Sequence, residues 1–579
     1  MRTTVAILLL TLVAAVVSAQ RREEAAVAWW VRSNAIRLQR VEAGGGFADM
    51  QRLKRVIGNA RIVSLGEATH GTREFFQLKH RLLEFLATEM GFTIFAIEAN
   101  LPEAYRMNEF VLTGSGDPRQ LLRGMYFWTW DTEEVLDMIL WMRRFNASGR
   151  GPVQFTGFDM QTPTVAMEIV RAFVTRYDPT YITALASATD EIRALTAGVP
   201  ASFGVATGTF PVALAAGKRV RYSGYLKTTG VTRGFAGLWW RVDGDPGVVL
   251  AFDNMQDRGP RGTTDWNRFQ IELPVATNAR NINFGVLHTG DGSAWFDGLA
   301  IELDGVPFTD QSVFDLDFES PAIRGFSIGG AGYTALLDRE QVHTGRQSLR
   351  MTYVGAGPQI DPARVATTWK DVVGHLEANR SGYRSTGASD GEIEWAARNA
   401  IVVLQGVQMR TNEISRDRSM ADNVKWILDQ SPQAKIVLWA HNGHVATGGL
   451  GFETMGAALR KMFGAHMVAF GFAFNQGMFQ AMGRPTGLST FTVPPAPAGT
   501  LDATLADTRI PVFAMDWRDV TWRTPAAEWI NQPHGTRWIG STYFEDRPDA
   551  FWLDLPVREA FDVTVFVEST TAARSNPLR

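Results

Sequence analysis

The spacing of hydrophobic residues changes twice along the chain. From about Glu23 to Gly198, and again from about Asp361, helix-period stretches alternate with short apolar runs; from about Ser202 to Tyr353 the period drops to two. The outer spacing predicts amphipathic helices between buried strands, and the inner one predicts half-buried strands. "ARIVSLG" is a buried-strand run ending at Gly66, and "REFFQLKHRLLEFLATEMG" sets Phe75, Leu78, Leu82 and Leu86 on one helical stripe that stops at Gly91. Further apolar runs follow: "FTIFAIEAN" ends near Glu98, "VQFTGFDMQ" near Asp159, "KIVLWAHNGHV" delivers His441 and His444, and "HMVAFGFAFNQG" carries Asn475. Strands alternating with helices predict an α/β fold, a mostly parallel sheet flanked by helices. The middle block predicts an antiparallel β-sandwich that interrupts it.

In that block "RVRYSGYLK" puts Val220, Tyr222, Gly224 and Leu226 on one face, "RFQIELP" repeats the alternation with Phe269, Ile271 and Leu273, and "NINFGV" with Ile282, Phe284 and Val286. "SAWFDGLAIELDG" resembles the closing strand of galactose-binding-like jelly-roll modules, while "DLDFES", "GGAGY" and "HTGRQSLRMTY" resemble their opening strands. The opening-type strands come second, so the expectation is a circularly permuted module whose neighbouring termini suit an insertion. Trp239, Trp240, Trp266 and Trp295 are candidates to stack on a sugar ring, set against ordinary burial at strand spacing. The expected organisation is a signal peptide over 1–19, an α/β domain over 20–198 and 361–579, and the sandwich over 199–360.

Length and composition fit this division: 579 residues exceed one ordinary core, and 45% hydrophobic residues are those of a globular chain. The formal charge of −3, with acids and bases interspersed, argues against nucleic acid as a partner. "MRTTVAILLLTLVAAVVSAQ" has the basic start, short apolar run and small-residue end of a secretory signal, so cleavage after Ala19 and an exported, periplasmic or secreted, protein are expected; an uncleaved anchor is the alternative. No later segment is long and apolar enough to span a bilayer. With no cysteine there is no disulfide, thiol nucleophile or thiolate metal site.

"GEATHG", residues 66–71, places Glu67 and His70 at a strand-to-helix hinge. In parallel sheets ligands sit outside the carboxyl ends of the strands, and there the sequence collects Glu67, His70, Glu98, His441 and His444. Of nine histidines these three lie directly after predicted strands. Lys79 shares the apolar stripe of its helix, so its ammonium either reaches toward the carboxylates or snorkels outward. Direct attack of water on an ester needs a base near neutral pKa, a carboxylate that fixes its tautomer, and a donor for the developing oxyanion; imidazoles and carboxylates at one edge supply these. Two rivals stand beside this. "GFSIG" matches a serine elbow around Ser327 but lies in the strand-rich block with no helix after it. A metal hydrolase would draw on the same histidines and glutamates, although no H-E-x-x-H spacing occurs.

"GEATHG", the helix with its lysine, "FAIEAN", "SRDRSMADNVKWIL", "VLWAHNGHV" and "FDVTVFVESTTAAR" resemble the erythromycin esterase family over roughly residues 45–198 and 361–572. The resemblance implies a carboxylic ester or macrolide lactone hydrolase, with the antibiotic resistance such an activity confers, working without a covalent intermediate and without a cofactor. It implies His70 as the base that activates water, Glu67 and Glu98 as its orienting or polarising carboxylates, and His441 and His444 completing the pocket, one of them on the carbonyl oxygen. The family more often has arginine where this chain has Lys79, which keeps the charge and loses a bidentate fork. The expected partner is a small ester or lactone, with carbohydrate on the sandwich and no stable membrane span once the signal is removed. A macrolide and a sugar-decorated ester stand level as substrates, and Met125, Phe127, Trp128 and Trp130 divide between pocket wall and core. A non-catalytic glycan-binding protein is the alternative outside enzymology.

Overall fold

The computed structural model describes residues 22–197, 203–244, 249–310, 313–330, 332–355, 361–483, 487–521, 523–524, 526–545 and 547–577. The export signal expected over 1–19 lies outside the described residues, as do the stretches 198–202 and 356–360 at the expected edges of the insert. The chain divides into two compact units: the first runs to Leu185 and resumes over Ala366–Gly483 and Thr490–Arg579, and the second comprises Ala186–Val365 with Arg484–Ser489.

The first unit is built on a nine-stranded sheet. Its spatial order is Ile36–Arg37, Val512–Asp516, Val563–Thr570, Met467–Gly483, Ile62–Leu65, Ile436–Trp439, Ile94–Asn100 and Gln154–Asp159, with Gly487–Val493 paired on Met467–Gly483. From Val563–Thr570 to Gln154–Asp159 every neighbour pair is parallel, and the two edge pairings with Val512–Asp516 are antiparallel. The central strands are apolar without alternation because both faces are covered. Val63, Leu65, Phe95, Ile97, Val437 and Trp439 point into one core, and Ile62, Ile94, Ala96, Ile436 and Leu438 into the other.

The helix Arg73–Met90 lies on the first of these faces and ends at Gly91 with φ 72°. Its stripe is wider than four residues: Phe76, Leu83 and Phe85 are buried along with Phe75, Leu78, Leu82 and Leu86. Lys79 is buried as well. Met125 and Trp130 belong to this core, while Phe127 packs partly buried against it and Trp128 is half-buried.

The second unit contains a five-stranded and a six-stranded antiparallel sheet around one core. The alternation seen in sequence decides which residues enter it: Val220, Tyr222, Leu226, Ile271, Ile282, Phe284 and Val286 are buried there. Trp240 is buried within the core beside Phe210, Tyr222 and Phe284, which removes it from the sugar-stacking candidates. Trp295 is 6% exposed, donates to Asp338 at 2.8 Å and lies under the Arg350 guanidinium. Trp239 and Trp266 are half-buried. Ser327 opens a three-residue strand, Ser327–Gly329, paired with Phe203–Thr209, and the next element is the strand Tyr333–Asp338, so no helix follows it.

Candidate active site

Two loops meet where adjacent parallel strands end. Ile62–Leu65 and Ile436–Trp439 pair in register, and each gives way to a polar loop at its carboxyl end. Gly66 is required by the way these loops lock together. Asn442 donates through Nδ2 to the Phe472 carbonyl at 2.8 Å and accepts the Phe472 N–H at 3.0 Å, continuing the sheet with a side chain after the strand has stopped. A Cβ at Gly66 would lie 2.2 Å from Asn442 Oδ1 and 2.9 Å from the Phe470 carbonyl. The Asn442 N–H in turn donates to the Glu67 carbonyl at 2.8 Å, which ties the two loops together.

Glu67 is fully buried, and both of its oxygens are occupied. Oε1 lies 2.7 Å from His70 Nδ1; Oε2 accepts from Lys79 Nζ at 2.5 Å and from Trp439 Nε1 at 2.7 Å. Burial alone would raise this carboxyl, but Lys79 and His70 outweigh it and hold it below its ordinary value. Lys79 also stands 4.4 Å from the centre of the Trp439 ring and 5.3 Å from that of Phe472. Of the two orientations open from the sequence, the ammonium takes the inward one. Burial lowers it to about 8 against the opposing pull of Glu67. With Glu67 ionised, the proton on His70 sits at Nδ1 and Nε2 carries a lone pair, at an imidazole that is only 12% exposed.

His441 faces His70, with ring centroids 5.2 Å apart and planes at 49°. It is the N-cap of the short helix Asn442–Val445, and its Nδ1 accepts the Gly443 N–H at 3.1 Å. That acceptance puts the proton of the neutral ring on Nε2, which is buried and has no partner. Burial, with His70 adding to it, pushes His441 down to about 3, so the ring is neutral across the physiological range. The indole of Trp538 stands edge-on to it at 5.3 Å and 86°.

Glu98, at the end of the neighbouring strand, is the hinge to a second charge cluster. Its Oε2 accepts the His441 backbone N–H at 2.9 Å, and its Oε1 accepts from Arg416 Nη2 at 2.7 Å. Arg416 also donates to both oxygens of Asp159, through Nη2 at 2.7 Å and Nε at 3.2 Å. His444 Nδ1 lies 2.9 Å from Asp417, and its Nε2 lies 3.3 Å from Glu98 and 2.9 Å from Arg416 Nη1. A neutral His444 would accept from Arg416; an imidazolium would donate to both carboxylates. Two carboxylates on Arg416, with Asp417 on His444, call for a second cation, and although burial opposes charge, Glu98 and Asp417 push His444 up to about 10. Burial likewise opposes the Glu98 carboxylate, yet His444 and Arg416 hold it well below the usual range.

The sequence-derived candidates Glu67, His70, Lys79, Glu98, His441 and His444 therefore form one connected network, but they do not face one point. Both nitrogens of His444 are engaged with the second cluster, whereas His441, whose ring lies beside that of His70, keeps an unpartnered nitrogen. Asn475 lies elsewhere, donating to Glu568 and accepting from the Ala496 N–H. Trp130 donates to the Glu98 carbonyl at 3.2 Å and packs on Trp439. Arg416, Asp417, Trp439 and Trp538 were not singled out from sequence. The first two open the helix Arg416–Gln430 behind its cap Ser415, and two charges in a first turn look like a solvated helix start until the partners are known. Among the described residues no group of three His, Asp or Glu side chains is placed to hold a metal ion.

The erythromycin esterase family model matches residues 87–220 and 335–570. An uncharacterized HTH-type transcriptional regulator, YbfP of Bacillus subtilis, is 44% identical over 105 residues, 18% of this chain and 34% of that protein. Erythromycin esterase type II of Escherichia coli is 31% identical over 134 residues, 23% of this chain and 31% of that protein. The matched stretches thus span about a third of the length of these curated relatives. A solved structure of a mutant of the erythromycin esterase EreC, in its open conformation, shares the fold over 94% of this chain and 99% of that one, with a TM-score of 0.53 at 13% identity. The family model covers more than half of the chain, and the chain belongs to the erythromycin esterase family.

Proposed function

We propose that this protein hydrolyses a carboxylic ester, macrolide lactones among them, by direct attack of a water molecule activated by His70. The observation that carries this reading is the pairing of complementary tautomers: His70 with its proton committed to Glu67, and His441 with an unpartnered N–H 5.2 Å away between ring centroids. Water held between ester and His70 gives a proton to Nε2 as its oxygen adds to the carbonyl carbon. The charge that develops on the carbonyl oxygen is met by His441 Nε2–H, a donor fixed in a buried setting where it needs no rearrangement. Collapse of the tetrahedral intermediate breaks the bond to the alcohol oxygen, which takes the proton back from His70, leaving acid and alcohol.

Glu67 orients the base and stabilises the imidazolium; Lys79 and Trp439 hold Glu67. Glu98 acts one step back, through the His441 backbone. Membership of the family and the likeness to an esterase of Escherichia coli support hydrolysis as the reaction class. Export after removal of residues 1–19 is proposed on the sequence of the N-terminus alone.

The test is turnover of erythromycin and a panel of simple esters by wild type, His70→Ala and Glu67→Gln, in ¹⁸O-water and with or without chelator, read by mass spectrometry. One ¹⁸O in the acid product at wild-type rate in chelator, with turnover lost in both variants, is expected. Turnover that vanishes in chelator would replace the histidine mechanism with a metal one. Wild type that adds water to nothing would remove the esterase reading.

A further inference from the structure

A cavity of about 650 Å³ opens between the helix Arg73–Met90, the helix Glu133–Ala147 and the glycine-rich loop after Val41, and none of its lining residues belongs to the site described above. Its floor is made of buried polar groups. His80 is 8% exposed, and its Nε2 has no partner. Glu84, 4% exposed, accepts the Gly44 N–H at 2.8 Å through Oε2, while Oε1 stands 3.6 Å from His80 Nε2, beyond hydrogen-bond reach. Burial pushes His80 down to about 3 and raises Glu84, so the imidazole is neutral and the carboxylate is short of partners. The loop over this floor is anchored from below: buried Arg81 donates to the Gly46 carbonyl at 3.0 Å and to the Arg40 carbonyl at 2.9 Å.

The walls carry both signs of charge without closing on one another. Arg144 acts electrostatically on both Glu84 and Asp137, yet among the described residues it forms no ion pair with either. Trp141 is half-buried between these groups, its ring stacked on Phe145 at 5.0 Å. Opposite charges that line a cavity and stay apart leave acceptors and donors unused, and each of the two helices carries both kinds. A ligand of single charge would meet its like on one wall, and no three ligating side chains converge on a cation. A hydroxyl group donates to a carboxylate and accepts from a guanidinium at once, so a ring bearing several of them satisfies both walls, with its C–H edge against Trp141. We propose that this cavity binds a neutral saccharide, held between Gln77 and Glu84 on one helix and Asp137 and Arg144 on the other.

The test is isothermal titration calorimetry of the full chain with glucose, galactose, cellobiose and maltotriose, and with arginine and citrate as charged controls. At least one neutral sugar should bind, and Glu84→Gln and Trp141→Ala should each weaken it by about tenfold or more at unchanged melting temperature. Should either variant melt early, Arg144→Met at the exposed rim decides, with a similar loss expected. No binding by any of the sugars, tighter binding of a charged control, or sugar binding indifferent to all three substitutions would overturn the proposal; the last would place the sugar elsewhere, for instance on the sandwich.

Discussion

Replacing Lys79 with arginine tests whether the buried cation sets the upper pH limit of catalysis. The Lys79 ammonium is wholly buried, 2.5 Å from Glu67 and 4.4 Å from the Trp439 ring centre, and its pKa falls from 10.5 to about 8. That drop corresponds to a bias on the order of 3 kcal/mol against the charged form relative to water. Once Lys79 loses its proton, Glu67 keeps only the Trp439 N–H and His70, and the carboxylate that fixes the His70 tautomer becomes an under-partnered buried charge. In a profile of kcat/KM against pH on a simple ester, wild type should fall about tenfold per pH unit above about 8. Lys79→Arg remains charged throughout, so its alkaline limb should move up toward the ionisation of His444 near about 10.

Stability gives an independent check with its own sign. Lys79 is depressed on folding, so between about 8 and 10.5 the unfolded chain binds more protons at this residue and its contribution to stability rises with pH. His444 behaves oppositely: raised on folding, it contributes fully below 6.5 and its contribution is lost as pH climbs through about 10. Both chains share the His444 slope, so wild type minus Lys79→Arg in melting temperature should rise across the Lys79 window. An alkaline limb at the same pH in both proteins, or a flat stability difference, would show that the ammonium does not titrate there.

Other substitutions probe separate parts of the network. His441→Asn keeps an N-cap acceptor for Gly443 but withdraws the Nε2 donor, so kcat should drop by about 10²–10³ with KM little changed; an equal rise in KM would mean that the ring only shapes the pocket. Arg416→Met strips buried Asp159 of its guanidinium partner, leaves Glu98 with His444 alone, and should cost about 3–5 kcal/mol, read as an early melt of the first unit in calorimetry; a loss below about 1 kcal/mol would mean the cluster is solvated. Gly66→Ala forces a methyl into Asn442 and the Phe470 carbonyl, and a destabilisation of about 1–3 kcal/mol by chemical denaturation is expected, whereas a neutral result would mean the two loops separate freely.

What the sequence determined by itself was the alternation. Short apolar runs such as "IVLW", bounded by polar loops, suit strands covered on both faces, and the period-two run from Arg219 suits a strand wet on one face, so the parallel sheet, the antiparallel sheets and the polar residues at the strand ends were legible from the order of residues. It could not determine which strands are neighbours. Ile436–Trp439 inserts between Ile62–Leu65 and Ile94–Asn100, which are consecutive in the chain, and that crossover sets the histidine loop against both glutamates. Direction was also left to tertiary structure: Lys79 turns inward because Glu67 and two aromatic rings are there to receive it, and His444 is committed to Asp417 and Glu98, which engage both its nitrogens. Local spacing fixes which face a side chain occupies, but a charge is placed by partners both near and far in the chain, Glu67 and Trp439 for Lys79, Asp417 and Glu98 for His444, and only packing brings them together.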